Sequence, residues 1–135
     1  MKSVYRLAKN FHAVVDNGRT HSVAIDLPPG NDGEDLGATA LELCAMSLSG
    51  CIGTIFAKVA KKMRLTIEAL EVELEAFKGP EDKTITKVES KVLVKSPDSE
   101  DKLKRCLELT MNTCPVGVIY ANANIPVNVT LEKMV

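Results

Sequence analysis

Tryptophan is absent from the sequence, and three phenylalanines and two tyrosines are its only aromatic residues. The stacking platforms that bind single-stranded nucleic acid are therefore missing. No sign of charge dominates either. Seventeen basic and eighteen acidic residues leave a net charge of −1, so there is no basic field for a polyanion and no acidic tail. Four cysteines, at 44, 51, 106 and 114, show neither C-x-x-C spacing nor the density of a disulfide scaffold. The opening MKSVYRLAKN lacks the apolar core of a signal peptide. These absences lead us to expect a cytoplasmic chain whose thiols are normally reduced, with no nucleic-acid or membrane partner. The two histidines, His12 and His21, have no cysteine or carboxylate at metal-ligand spacing. We expect no metal and no cofactor. At 135 residues the chain suits one domain, 1–135, able to bury a core unaided.

What is present is one long apolar stretch, ATALELCAMSLSGCIGTIFAKVAKK, from Ala38 to Lys62. Thr39 and Glu42 form the capping-box pattern of a helix start. Lys58, Lys61 and Lys62 gather where the negative end of the helix dipole falls. Between them, Leu43 to Ala57 carry no charge. That run falls short of the roughly 20 residues of a membrane span and is interrupted by Ser47, Ser49, Gly50, Gly53 and Thr54. A soluble helix so apolar must be covered on nearly all sides, which makes it the centre of the fold.

Around it the chain reads as strands and shorter helices. Residues 4–15 and 21–27 read as two strands about the turn Asp16-Asn17-Gly18. Thr66–Phe77 and Ile85–Lys95 alternate with a period of two, one outer face acidic and the other mostly basic, which suits cross-strand ion pairs in a hairpin. A helix starting at Ser96-Pro97 carries an apolar stripe of Leu103, Cys106, Leu107, Thr110 and Met111. Pro115 should end it near Thr113 and open a short helix to about Ala121. Ile125–Leu131 reads as a closing strand. The class is α+β, with antiparallel strands around a long central helix.

Among the cysteines, Cys106 lies on an apolar stripe and Cys44 reads as packing, too far along the helix from Cys51 (~10 Å) to bond with it. Cys114 stands at the N-cap of a short helix, where free N–H groups favour a thiolate. Cys51, in mid-helix among Leu48, Ile52 and Ile55, has no such help and needs a cation or donors from elsewhere.

GATALELCAMSLSGC (37–51), followed by KVAKKMR (58–64), resembles the central-helix signature of the OsmC/Ohr family, and Cys114-Pro115-Val116 resembles its second motif, C-P-V-S. The order of elements agrees along almost the whole chain, nearer in flavour to the OsmC-like branch than to the hydroperoxide-resistance branch. The resemblance implies an OsmC-like fold in an intertwined homodimer. It implies a thiol peroxidase for organic hydroperoxides in which Cys51 is peroxidatic and Cys114 resolving. A Cys51–Cys114 disulfide would then be reduced by an external dithiol. It also implies an arginine from the N-terminal strands and a glutamate at the start of the cysteine helix. Arg64 is thirteen residues from Cys51, ~20 Å along the helix, and Arg105 sits beside Asp101 and Glu108. Arg6 and Arg19 remain, and Arg19 best matches the family position, with Lys58 a weaker substitute. Glu42 stands one residue after the glutamate position of the hydroperoxide-resistance branch, which Leu41 fills here, so its capping role is the better reading. Ala40 and Gly117 replace the Pro and Ser of the two motifs. The alternative is a non-peroxidase redox protein, or a module that binds a small apolar ligand in the same dimer-interface pocket.

Overall fold

A computed structural model describes residues 1–135, which divide into two compact units, residues 1–44 and 45–135.

The first unit holds an antiparallel sheet of β1 (Val4–Lys9), β2 (His12–Asp16) and β3 (Ser22–Ile25) in that order. The single strand expected over 4–15 is therefore two. Asn10 takes a left-handed φ of 54°, which Asn tolerates, and folds the run at Asn10-Phe11 so that Lys9 pairs with His12. The second turn forms where expected. Gly18 has φ 69° and donates its N–H to Asp16 Oδ1 at 2.8 Å. After β3, buried Asp26 organises the loop by accepting N–H bonds from Leu27, Glu34 and Leu36. The loop ends in the expected capping box. Thr39 N donates to Glu42 Oε2 at 2.7 Å, and Glu42 N to Thr39 Oγ1 at 3.1 Å.

Helix α1 (Ala40–Lys62) begins there and continues into the second unit. Its 23 residues satisfy the length and apolarity of a membrane span, which corrects the count above. Core helices of soluble proteins share that property, and this one buries Leu48, Ile52, Phe56 and Ala60, an i, i+4 series no more than 1% exposed. Gly53 brings α1 close to Val72, and the Phe56 carbonyl accepts from Cys106 at 3.6 Å. Full burial on α1 is confined to that stripe, short of the coverage on nearly all sides that was expected. Met46 is 54% exposed.

The second sheet is β4 (Ala69–Phe77), β5 (Lys87–Lys95) and β6 (Val127–Lys133). In β4 and β5, Leu70, Val72, Leu74 and Ala76 pair with Val94, Val92, Ser90 and Val88, which keeps one face apolar. β6 runs parallel to β5, so the sheet is mixed rather than purely antiparallel. The helices between them carry the chain back, as a parallel connection requires. The expected ion pairs across β4 and β5 do not form. Lys91 faces Glu73 in register but pairs with Glu132 of β6, and Lys87 pairs with Glu89 of its own strand.

Helix α2 (Glu100–Thr113) starts later than Pro97 suggested. Asp98 holds the preceding turn, accepting from Thr66 N at 2.8 Å while its own N–H donates to Ser96 Oγ, and Ser99 becomes the N-cap. Leu103, Cys106, Leu107 and Thr110 are buried as the stripe predicted. Helix α3 (Pro115–Asn122) follows after a single residue, Cys114.

Candidate functional site

Cys51 and Cys114, 63 residues apart in sequence, are brought together within the second unit. Cys51 projects from the middle of α1, half-buried, one position before the stripe residue Ile52. Cys114 is held in an extended conformation (φ −69°, ψ 110°) by Pro115, which disfavours helix at the residue before it. That conformation makes Cys114 the N-cap of α3, where its Sγ accepts the Gly117 N–H at 3.4 Å. The Cys114 thiol in turn donates to Cys51 Sγ at 3.0 Å, and both cysteines are free thiols.

The two sulfurs differ in surroundings. Cys114 is fully buried and its pKa is raised to about 11, first by loss of solvent and then by the bond its proton makes to Cys51. The Gly117 N–H acts in the opposite sense but is outweighed. The N-cap thus fails to produce the thiolate that sequence reasoning associated with it, because burial dominates. At neutral pH Cys114 is a protonated thiol pointed at its neighbour. Glycine at 117 looked only like a departure from the second motif. Its place three residues past the cap was the signal that it supplies a donor.

The other candidates fall elsewhere. Cys106 is wholly buried, with its pKa raised to about 11 by burial, and its thiol reaches the Phe56 carbonyl, so it is a core residue. Cys44 is exposed, against the expectation of packing. The buried series on α1 begins one turn later, at Leu48. Glu42 is engaged in the capping box. Lys58 is exposed two turns beyond Cys51. Arg6 pairs with Asp16. Arg19 lies in the β2–β3 turn of the first unit, its backbone N–H bound to Asn17 Oδ1 at 3.0 Å. It lines an open, polar cavity with Arg6, Asp16, Thr20 and His21. The His21 ring bonds to the Asn17 side chain at 3.2 Å. No group of three or more His, Cys, Asp or Glu residues converges to hold a metal ion.

Two free thiols thus lie in contact, one at mid-helix and one before a proline-led helix. The family model of OsmC-like proteins matches residues 32–130, and the chain belongs to that family. The match includes both thiols and Glu42 but not Arg19. Among curated proteins, none matches the chain in sequence. Solved structures share the fold. The OsmC-like protein of Mycoplasma pneumoniae is similar over 99% of this chain and 96% of its own, with TM-score 0.86 and 14% identity. An organic hydroperoxide resistance protein OsmC from Legionella pneumophila is similar over 98% and 97%, with TM-score 0.69 and 14% identity. The organic hydroperoxide resistance protein OhrB of Bacillus subtilis is similar over 97% and 96%, with TM-score 0.65 and 21% identity. Membership in the family suggests a redox role.

Proposed function

We propose that the chain is a thiol-dependent peroxidase for organic hydroperoxides, working as a single OsmC-like domain in a homodimer. The observation that carries this reading is the 3.0 Å separation of the Cys51 and Cys114 sulfurs. Burial unfits Cys114 to act first, since a thiolate is the nucleophile and Cys114 keeps its proton. Cys51, half-buried, takes that role. Its thiolate attacks the O–O bond, the alcohol leaves, and Cys51 becomes a sulfenic acid. Cys114 condenses with it, water leaves with the sulfenic oxygen, and a Cys51–Cys114 disulfide remains. An external dithiol restores both thiols. Arg19 is proposed as the cation that favours the Cys51 thiolate. The homodimer is supported by apolar surface that one chain leaves open, Leu7 (59%), Met46 (54%) and Ile119 (64%) among it.

Peroxide consumption with excess dithiol tests the reading. Wild type should turn over cumene hydroperoxide, Cys51→Ser should not, and Cys114→Ser should oxidise once and stall at the sulfenic acid. A Cys51→Ser variant as active as wild type would refute it. The alternative, a non-peroxidase redox or small-ligand module, would be favoured by a disulfide that forms with diamide and not with hydroperoxide.

A further inference from the structure

Helix α3 is weak both in sequence and in packing. Its eight residues, PVGVIYAN, include a glycine and three β-branched side chains, all poor helix formers, and so short a helix does not hold itself. Tyr120 is its only buried residue, while Val118 and Ile119 stand exposed. Along its Gly117 and Ala121 side lies an open cavity of about 460 Å³, walled also by Met111, Asn124 and Ile125. The helix therefore leans on its first turn. The first bond of that turn runs from Val118 N to the Cys114 carbonyl at 3.1 Å, which leaves the Gly117 N–H without a carbonyl of its own. Its partner is Cys114 Sγ, at 3.4 Å.

The same sulfur carries a second contact, since the Cys114 thiol donates to Cys51 Sγ at 3.0 Å. In the dithiol form one position of Cys114 Sγ serves both. A disulfide asks more, because its sulfurs lie ~2.05 Å apart with a Cβ–S–S–Cβ dihedral of about 90°. Sulfur is a weak acceptor, so the N–H contact is the one that gives way. We propose that α3 is a redox-sensitive element: forming the Cys51–Cys114 bond withdraws its N-cap and loosens its first turn, and reduction restores both. The inference rests on the disulfide of the proposed function. As that bond forms, the two thiols give up two electrons and two protons. These pass to the hydroperoxide in the proposed cycle, or to the N=N bond of diamide in the test. The surface at Val118 and Ile119, directly after the turn, is then held firmly in the dithiol form and loosely in the disulfide form.

Hydrogen exchange read amide by amide tests this, with diamide as oxidant and no peroxide. Reduced and oxidised protein are compared at one protein concentration, the Cys51–Cys114 bond being verified by mass spectrometry. The Gly117 amide should exchange about fivefold faster after oxidation, the scale of a lost helix cap. Amides of the buried stripe of α2, from Leu103 to Thr110, should exchange no faster and serve as the internal reference. Dithiothreitol should restore the slower Gly117 rate. Cys114→Ser keeps a capping side chain and cannot form the bond, so diamide should leave its Gly117 rate unchanged. A Gly117 amide that exchanges at the same rate or more slowly in the verified disulfide form would overturn the inference and leave the proposed function standing. So would an equal response to diamide in Cys114→Ser. Failure of diamide to form the Cys51–Cys114 bond would remove both.

Discussion

Oxidation of Cys51 and Cys114 should stabilise the fold, and the size of the effect follows from where they lie. The two residues are 63 apart in sequence, so the bond would close a long loop in the unfolded chain. The chain-entropy relation gives about 4 kcal/mol at 25 °C for a loop of that length. The sulfurs must close from 3.0 Å to a bond of ~2.05 Å, so strain in the folded state subtracts from this figure. Unfolding 135 residues carries an entropy of roughly 0.28 kcal/mol/K, which converts the upper bound to a rise in Tm of about 15 °C. Circular dichroism melts of diamide-treated and reduced protein at one fixed protein concentration measure it. Cys114→Ser should show no shift under the same treatment. The reasoning fails if the oxidised protein, with the Cys51–Cys114 bond verified by mass spectrometry, melts at or below the temperature of the reduced form.

Arg19→Ala should slow alkylation of Cys51 by iodoacetamide at neutral pH; an unchanged rate would shift the proposed role to Arg6 or Lys58. Glu42→Ala removes one half of the capping box and should cost about 1 kcal/mol in urea unfolding while leaving diamide-driven disulfide formation intact. Burial alone would raise the pKa of Asp26, but N–H bonds from Leu36, Leu27 and Glu34 outweigh it and hold the carboxyl below its usual range. The folded pKa lies below the unfolded one, so its contribution is present above about pH 4 and is lost as pH falls through the folded value. Acid titration of unfolding free energy should therefore fall more steeply in wild type than in Asp26→Asn. Gly117→Ala should stabilise the protein by up to ~1 kcal/mol, because a methyl group there meets Cys114 only at ordinary contact distance, 3.4 Å; a loss of stability would show that the space is tighter than the geometry states.

Much of this was legible in the residues because local chemistry decided it. Thr39 and Glu42 marked the start of α1, and the period-two runs marked β4 and β5. Pro115 fixed both the end of α2 and the capping place of Cys114. Where the outcome depended on residues distant in sequence, patterns alone were weaker. Nothing local says that β6 runs parallel to β5, or that Lys91 turns from Glu73 to Glu132. Asn10 was missed for a different reason, since its alternating neighbours favour a strand and only its left-handed backbone breaks it.

The same contrast bears on the proposed division of labour between the two thiols. A helix N-cap and a buried position pull a thiol in opposite directions, and sequence displays only the first. Cys114 has the Gly117 donor expected of a cap, yet it is wholly buried and its pKa is raised. Cys51 has no cap, yet it is the less buried of the pair and receives the Cys114 proton as a hydrogen bond at 3.0 Å. The Cys114 thiol is thus placed to donate to Cys51 before it ever bonds to it. Replacing Cys114 by Ser preserves a donor, whereas Cys114→Ala removes it. The two variants should both abolish the disulfide, and Cys51 should alkylate faster in the serine variant than in the alanine one. Equal rates at neutral pH would mean that the contact brings the sulfurs together without tuning either.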